Sequence, residues 1–406
     1  MKLNQWTLGL AAAGVVSLAS AVQAEEAANQ VMTAVSATTL SGYVDTSIIW
    51  RPGTATAGGA TTGAGAFTGP GKQDGFNVNV IKLRLEKALD ESEWAAGYRA
   101  ELLFGPDATA YNTSFNAAGF EDFSIKDAYV NLRAPIGNGL DIKIGSYSCL
   151  MGYESFEAGD NANYSRSYAW QSEPTQHTGI LASYKVSDSV TLKAGAANTY
   201  GAGIGVRTAK STRDESRKTY MASMVLTAPE SFGAFKGATL TAAATKGFAN
   251  GLGSSSDAVG YYVGLSTPTG LDGLTVGASY DYTGVSDDTK RAGTTSAYFN
   301  AAGLYTSYQA TEKLKLNLRG EYASSTTGFI MGFTGGAAGA GLPNGDKVMA
   351  ATLTADYSLW ANVISRVEAR WDHDLSNKSD GSLFDTRAGG GAKNMMTLAL
   401  IVIYKF

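Results

Sequence analysis

The residues that could sort ions by charge fall into two groups. The stretch 147–177 holds four acids and one base, which are Glu154, Glu157, Asp160, Glu173 and Arg166. The second group consists of bases at alternate strand positions, which are Lys82, Arg84, Arg99, Lys315, Arg319, Arg366 and Arg370. Opposed fixed charges along a narrow aqueous path select ions by sign. We therefore expect a constriction with acids on one side and bases on the other. The facing residues would be Glu154, Glu157 and Asp160 against Arg84, Arg99, Arg319 and Arg366.

The two histidines give little support for catalysis. His373 lies in the triplet Asp372-His373-Asp374, and alternate residues of a strand point to opposite faces. Both carboxylates would therefore point away from the imidazole, which disfavours a catalytic relay. His177 follows Pro174 at the end of the acidic stretch, beside a predicted strand, and a general base also needs a positioned partner and a nucleophile or water. We expect no enzymatic activity.

Metal and cofactor motifs are equally weak. Loop carboxylates such as Asp287 and Asp288 lack the spacing of a calcium-binding loop. The glycines between Gly201 and Gly205 imitate a nucleotide-binding loop, but a following helix is not predicted. We expect no resident metal and no cofactor, with a loosely held divalent ion that bridges lipopolysaccharide left as an open alternative.

A regular framework for these charges begins at Thr39. Segments of roughly ten residues alternate apolar and polar positions and are separated by turn residues, as in membrane-spanning barrels. The predicted strands are 39–51, 75–88, 93–104, 122–134, 139–146, 178–187, 189–199, 217–228, 236–246, 258–268, 273–284, 295–308, 312–324, 347–358, 362–374 and 393–406. The sequence thus predicts an all-β fold, a transmembrane antiparallel up-and-down barrel of about sixteen strands.

The connections between these strands alternate between short and long. Short periplasmic turns and long extracellular loops produce this alternation in outer-membrane barrels. The stretch 147–177 is then the third extracellular loop, and it shows neither the period of a strand nor that of a helix. Because long irregular connections in compact domains are usually functional, we expect this loop to fold into the barrel and narrow it.

Charges occupy only one face of each predicted strand. In 312–324, Leu316 and Leu318 alternate with Lys315 and Arg319. A Lys or Arg facing the middle of the bilayer costs about 2–4 kcal/mol. The charged faces must therefore line a wet lumen, whereas a soluble sandwich would point its charges outward.

The N-terminus predicts export. Lys2 precedes an apolar run, and Val22-Gln23-Ala24 forms a small-residue cleavage site, so residues 1–24 read as a signal peptide. Residues 25–38 would form a periplasmic linker, and residues 39–406 the barrel. The formal net charge of −4 makes nucleic acid an unsuitable partner. The single Cys149 excludes an intramolecular disulfide framework.

The last strand predicts an assembly signal. It ends the sequence with Tyr404 and Phe406 on one apolar face. An amphipathic strand that ends in phenylalanine is similar to the signal read by the barrel-assembly machinery. A buried strand of a soluble β protein is the alternative.

Four stretches carry a family resemblance. They are SGYVDTSIIW, FNVNVIKLRLEKALDESEWAAGYRAELLFGPDA, IKDAYVNLRAPIGNGLDIKIGSY and YSRSYAWQSEPTQHTGILASY. Together they resemble the OmpL-like beta-barrel porin family over most of residues 39–195, with the strand rhythm continuing to the C-terminus. The resemblance implies an outer-membrane channel for small solutes. It does not imply a defined substrate or individual pore residues.

These observations lead to an expected function. The chain would be a porin of the bacterial outer membrane that allows passive diffusion of small hydrophilic solutes and ions. A surface-exposed structural or adhesive barrel without conductance is the alternative. The expected partners are outer-membrane lipid and lipopolysaccharide, the barrel-assembly machinery, the solutes themselves and further copies of the chain in a homotrimer.

Overall fold

The computed structural model describes residues 37–52, 75–110, 122–209, 215–248, 256–287, 297–326, 346–376 and 393–406. The predicted signal peptide and most of the predicted linker lie outside these residues. The first eight strands are β1 Thr39–Trp50, β2 Gly75–Lys87, β3 Ala96–Phe104, β4 Phe123–Ala134, β5 Leu140–Ser148, β6 Gln176–Ser187, β7 Val190–Ala197 and β8 Thr219–Thr227. The others are β9 Thr239–Phe248, β10 Ser256–Pro268, β11 Leu274–Asp287, β12 Ala297–Gln309, β13 Leu314–Ser325, β14 Asp346–Tyr357, β15 Val363–Asp374 and β16 Asn394–Lys405.

The strands form one closed antiparallel barrel. Each strand pairs with its neighbours in chain order, and β1 pairs with β16. The predicted up-and-down barrel is therefore confirmed, and its strand bounds differ from the predicted ones by a few residues. Closure pairs every strand on both sides, which removes the free edges that invite aggregation.

Helical structure in the described residues is limited to short segments. The α-helix α1 spans Tyr168–Ser172, and 3-10 turns span Pro106–Ala110, Ala158–Asp160 and Glu230–Phe235. In the described part of the chain, no helix has the length and apolarity needed to cross a membrane.

The predicted alternation of faces is also confirmed. In β13, Leu316 and Leu318 are exposed on the outside, whereas Arg319 is fully buried on the inside. In β15, Val367 is exposed and Arg370 is fully buried. The lumen of the barrel is therefore polar, and its outer surface is apolar.

One irregularity changes which side chains point inward. The pairing of β3 with β4 shifts register between Ala100 and Leu102. At this bulge the consecutive residues Lys126 and Asp127 are both buried. Simple alternation would have placed one of them on the outer face.

The seam of the barrel lies between the two chain-end strands. Gly42 donates a backbone hydrogen bond to the carbonyl of Phe406 at 2.9 Å, and Phe406 donates one to the carbonyl of Gly42 at 3.0 Å. The Phe406 ring lies over Gly42, where an added Cβ would come within 2.7 Å of the ring. Tyr404 points to the outer surface and is half exposed.

Candidate functional site in the barrel lumen

The loop between β5 and β6, residues 149–175, lies against the inward-facing side chains of the barrel and is called the inward loop below. Its buried side chains pack on several parts of the wall. Phe156 and Tyr164 join a cluster with β1, β2 and β16 residues, whereas Tyr168 and Ala169 join one with β12 to β16 residues. The inward loop therefore occupies part of the lumen.

Carboxylates of β13 and β15 accept hydrogen bonds from the backbone of the inward loop. Glu368 accepts from the amides of Tyr164 at 2.6 Å and Ser165 at 2.9 Å. Glu321 accepts from the amide of Tyr168, at the start of α1, at 2.6 Å. Buried backbone amides need such partners, so these wall residues replace the ladder that the irregular loop lacks.

Arginines of the same wall donate to carbonyl oxygens of the inward loop. Arg319 donates to Ser165 O at 2.6 Å and Arg370 to Arg166 O at 2.7 Å. Arg366 donates to Ala158 O at 2.6 Å and to Asn161 O at 2.8 Å. The predicted pore bases thus hold the loop backbone in place.

Glu154 ties the loop into a buried network of charges. Its Oε1 lies 2.7 Å from Arg319 Nη1, and its Oε2 accepts from the amide of Ser167 at 2.8 Å. Arg319 also pairs with Glu321 at 3.0 Å, and Glu321 lies 3.3 Å from Arg370. Both arginines are 0% exposed. Charges this deep are stable only when paired and hydrogen-bonded, a condition that this network meets.

Glu157 belongs to a second charge cluster, on β2 to β4. It forms an ion pair with Lys82 and lies 3.3 Å from Lys126 and 3.9 Å from Arg84. Glu101 joins the same cluster, at 2.8 Å from Lys82 and 3.0 Å from Lys126. Burial raises the pKa of Glu157, but Lys126 and Lys82 outweigh it and lower that pKa to about 2. Glu157 is therefore charged at neutral pH.

Two of the predicted charges form pairs near the short-turn end of the barrel, the end that carries the short connections. Asp160 lies 2.6 Å from Lys405 of β16, and this pair is half exposed. Arg366 pairs with Asp356 of β14 at 2.7 Å. A basic partner is therefore present for each of the three acids predicted to line the constriction, which are Glu154, Glu157 and Asp160.

An unpaired buried carboxylate distinguishes the far end of the inward loop. Asp281 of β11 is 1% exposed, and neither of its carboxylate oxygens has a hydrogen-bond partner among the described residues. Thr283, on the same strand face, donates to Ser172 O at 3.0 Å, which places Glu173 in this region. Burial, Asp281 and then Glu154 raise the pKa of Glu173 well above its ordinary value.

Aromatic residues pack between the inward loop and strands β10 to β12. Tyr153 stacks on Tyr305 with ring centroids 4.1 Å apart. Gly277 makes room for Tyr153, because a Cβ there would lie 1.8 Å from the Tyr153 hydroxyl oxygen. Met151 packs with Tyr262 and Ala243.

A cavity of about 420 Å³ lies between the inward loop and the wall from β9 to β13. Hydroxyl, aromatic and charged groups line it, including Thr239, Thr241, Tyr262, Ser266, Thr275, Tyr305, Ser307, Lys315, Glu154 and Asp160. Such a lining is wettable and accommodates hydrophilic groups.

The sequence predicted that the acids of the loop and the bases of the wall face each other across an open passage, and this arrangement is wrong in one respect. Glu154, Glu157 and Asp160 do not face the bases across an open passage, because each is in direct contact with a base. The inward loop packs on the basic wall itself, since its backbone finds hydrogen-bond partners there. The open space lies on the other side of the loop, next to β9 to β13.

Four predicted bases form no ion pair with the loop acids among the described residues. Arg366 and Arg370 bind the loop through its carbonyl oxygens instead. In the same part of the chain, Arg99 and Lys315 show neither kind of contact. Arg99 pairs with Glu86 at 2.5 Å. Lys315 borders the cavity, and within the described residues it has no ion-pair partner. These two side chains therefore remain part of the lumen wall rather than of the loop anchor.

Several important residues were not singled out from the sequence. Glu321 and Glu368 alternate with bases on the inner faces of β13 and β15, so their inward direction was readable. Lys126 was hidden by the bulge opposite Ala100. That any of these would bind the loop backbone depends on long-range folding, for which the sequence has no local signal.

The histidines occupy structural positions. His177 is buried, with Nδ1 3.4 Å from Thr199 O. His373 lies on the outer rim, where its Nδ1 is 2.8 Å from Asn394 Oδ1. Among the residues that the structure describes, neither ring is hydrogen-bonded to a carboxylate. Across the same residues, His, Cys, Asp and Glu do not gather in groups of three or more suited to a metal.

Comparison with known proteins agrees with this architecture. A family model described as "Putative beta-barrel porin-2, OmpL-like" matches residues 37–406. None of the proteins with curated descriptions matches the chain.

Solved structures with the same fold include three outer-membrane proteins. An anion-selective porin from Comamonas acidovorans is 13% identical, with a TM-score of 0.57 over 91% of this chain and 99% of that one. The channel DcaP of Acinetobacter baumannii is 14% identical, with a TM-score of 0.56 over 91% and 97%. A trimer form of OmpT from Vibrio cholerae is 10% identical, with a TM-score of 0.53 over 91% and 99%.

Proposed function

Because this chain belongs to the family Putative beta-barrel porin-2, OmpL-like, we propose that it is an outer-membrane porin for passive diffusion of small hydrophilic solutes and ions. Barrels of 16 to 18 strands enclose enough space for an aqueous channel. This barrel has sixteen strands with polar inner faces, which supports a water-filled interior.

The observation that carries the proposal is the position of the inward loop. Buried ion pairs hold the loop against β13 and against β2 and β4, and a polar cavity remains beside β9 to β13. The loop would set the size of the passage, and solutes would cross between the loop and the hydroxyl-rich wall.

Selectivity in this channel would come from the charges that stay uncompensated. Glu154, Glu157 and Asp160 are balanced by their partners, so their own field is largely cancelled. Lys315 borders the cavity without an ion-pair partner among the described residues. We propose that the constriction is formed by the paired charges, whereas unpaired bases such as Lys315 tune the passage of ions.

The remaining partners follow from the same function. The exposed apolar outer surface, with Trp94 and Phe76 among its most exposed side chains, suits outer-membrane lipid. Lipopolysaccharide, the barrel-assembly machinery and a homotrimer are further proposed partners. The trimer form of OmpT supports a test for trimers by crosslinking.

Removing part of the inward loop tests the proposed diffusion function directly. We expect the purified protein to make liposomes swell in isotonic sugar and to conduct ions in planar bilayers. Deleting Gly152–Asn163 should raise the conductance, because this segment lies between the wall and the cavity. A second variant replaces the same segment with a glycine-serine segment of equal length. Comparing it with the deletion separates the effect of the lost chain volume from the effect of the lost charges.

Two results would contradict the proposal. If the wild-type barrel is folded, as shown by heat-modifiable mobility in gels, but liposomes do not swell, the non-conducting structural or adhesive barrel becomes the better reading. If the deletion variant is folded and its conductance is unchanged, the inward loop does not limit the passage.

A further inference from the structure

Two lysines on the inner wall do not belong to the clusters of ion pairs that bind the inward loop. They are Lys143 of β5 and Lys193 of β7, and both are half-buried. Within the described residues neither forms an ion pair or a hydrogen bond through its ammonium group. The more deeply buried inner bases Lys82, Arg319 and Arg370 have carboxylate partners. Among the described residues, Lys143 and Lys193 share their unpaired state with Lys315 of β13, but they differ from it in lying close to each other.

Both lysines belong to one patch of wall. Lys143 is in register with Leu181 of β6, and Lys193 is in register with Ser183 of the same strand. Neighbouring strands lie about 4.8 Å apart and successive residues rise about 3.3 Å, so two strand spacings and a two-residue offset separate the two Cα atoms by roughly 12 Å. A long flexible side chain lets each ammonium group reach the space between them.

The surroundings of this patch strengthen its positive field. Lys143 Nζ lies 4.6 Å from the ring centroid of Tyr129, and the guanidinium of Arg99 lies 5.8 Å from the same centroid. Cations near one ring gain some attraction from it, but the ring does not cancel their charge. Ser183 and Ser223 flank Lys193 in register and add hydroxyl donors.

The acids nearest to the patch are already engaged. Glu86 pairs with Arg99 at 2.5 Å. Asp127 accepts from Ser148 Oγ at 3.1 Å and lies 3.9 Å from Lys126. Both carboxylates act on Lys143 only from a distance, and among the described residues neither forms an ion pair with Lys143 or Lys193, so both ammonium groups can still pair with a ligand.

We propose that Lys143 and Lys193 form a binding subsite for small dianions in the half of the lumen nearer the short turns. Two half-desolvated ammonium groups repel each other, and a ligand with two negative charges removes this repulsion and pairs with both. A divalent oxyanion such as sulfate, or a small dicarboxylate, has this charge and acceptor chemistry. The subsite deepens the proposed diffusion function, because it gives the channel a preference for anions.

Planar-bilayer recordings test the subsite with sulfate as the probe. Wild-type channels in potassium chloride should show an anion-preferring reversal potential and a partial block of current by added sulfate. The double variant K143Q/K193Q should shift the reversal potential toward cations and need roughly fivefold to tenfold more sulfate for the same block. The charge-conserving variant K143R/K193R should retain both properties.

A matched control removes two lysines that do not line this patch. Lys185 pairs with Asp188, and Lys236 pairs with Glu230, both at exposed positions near the short turns. The variant K185Q/K236Q should keep the wild-type reversal potential and sulfate block. If it changes as much as K143Q/K193Q, the effect reflects total charge, and the subsite is ruled out.

A binding measurement in detergent is independent of conductance. Sulfate at constant ionic strength should protect Lys143 and Lys193 from acylation, measured by mass spectrometry, and should not protect Lys236. Protection of Lys193 should weaken in K143Q. Equal acylation with and without sulfate would overturn the subsite even if the barrel conducts. Protection in a barrel without conductance would leave the subsite standing and overturn only the diffusion function.

Discussion

Glu154 and Glu157 balance the bases to which the inward loop is bound. Replacing both with glutamine would leave Arg319 and Lys82 without these partners, so the lumen would become more positive. We expect the reversal potential of the double variant E154Q/E157Q in a salt gradient to move toward anion preference. Glu230 lies in an exposed turn and pairs with Lys236, so E230Q is the matched control. An unchanged potential, or one that moves toward cations, would contradict the ion pairs described here.

The Glu173 carboxyl gives a prediction for pH. Because burial, Asp281 and Glu154 raise its pKa in the folded protein, the folded state holds a proton that the unfolded state releases near its ordinary pKa of about 4.3. Stability should therefore fall as pH rises from that value to the raised pKa, and level off above it. The variant E173Q, which cannot ionise at this position, should lose the part of this slope that Glu173 contributes.

The temperature at which the heat-modified gel band appears, recorded across pH, measures this effect. Wild-type protein and E230Q should show the decline, and E173Q should show a smaller one. Parallel curves for all three proteins would mean that Glu173 does not hold a proton in the folded barrel. Glu157 acts in the opposite direction, because its lowered pKa of about 2 makes its contribution disappear only as pH falls toward that value.

At the scale of elements, the strands were predictable because their signal is local. Alternation of apolar and polar residues in β13 and β15 gave both the bounds and the inward faces. The inward loop has no such period, and its position depends on Glu321, Glu368 and three arginines that are distant in sequence. Its contact with the basic wall could therefore not be read from the sequence, and the facing arrangement was wrong for this reason.

Lys143 and Lys193 show the same limit on what can be predicted from the sequence. They were not singled out from the sequence, although both alternate with apolar residues on their strands, as Arg99 does. The sequence lacks any sign of which inward base finds a carboxylate partner, because partners come from neighbouring strands in a register fixed only by folding. The pairing of Arg99 with Glu86 and the isolation of Lys143 are both products of that register.

Two glycines of the barrel wall give a prediction for the seam between β1 and β16. A Cβ at Gly42 would lie 2.1 Å from the carbonyl oxygen of Lys82 and 2.7 Å from the Phe406 ring. We expect G42A to lower the temperature of heat modification, since backbone must move to admit the methyl group. Gly320 of β13 has open space at the same atom position, so G320A should be close to wild type. Equal effects of the two variants would exclude a special role of the seam.

At the scale of the whole molecule, the barrel and the inward loop stabilise each other. The loop could not stay buried without hydrogen-bond partners for its backbone, and the wall could not keep Arg319 and Arg370 at 0% exposure without acceptors. Removing a single member therefore leaves a buried charge or amide without a partner, which is costly. This mutual dependence explains why a long irregular segment has one position in the lumen.

The last residue of the sequence extends the β1–β16 pairing that closes the barrel. Phe406 exchanges two backbone hydrogen bonds with Gly42 and covers it with its ring. We expect deletion of Phe406 to reduce the amount of folded protein in the membrane, because the seam loses its last pair and β1 gains a partly free edge. Channels that do assemble should keep the wild-type conductance, since the side chain lies outside the lumen. F406W, which keeps an aromatic ring and both backbone bonds, should restore assembly. Membrane fractions with wild-type amounts of the truncated protein would show that Phe406 is not an assembly signal in this barrel.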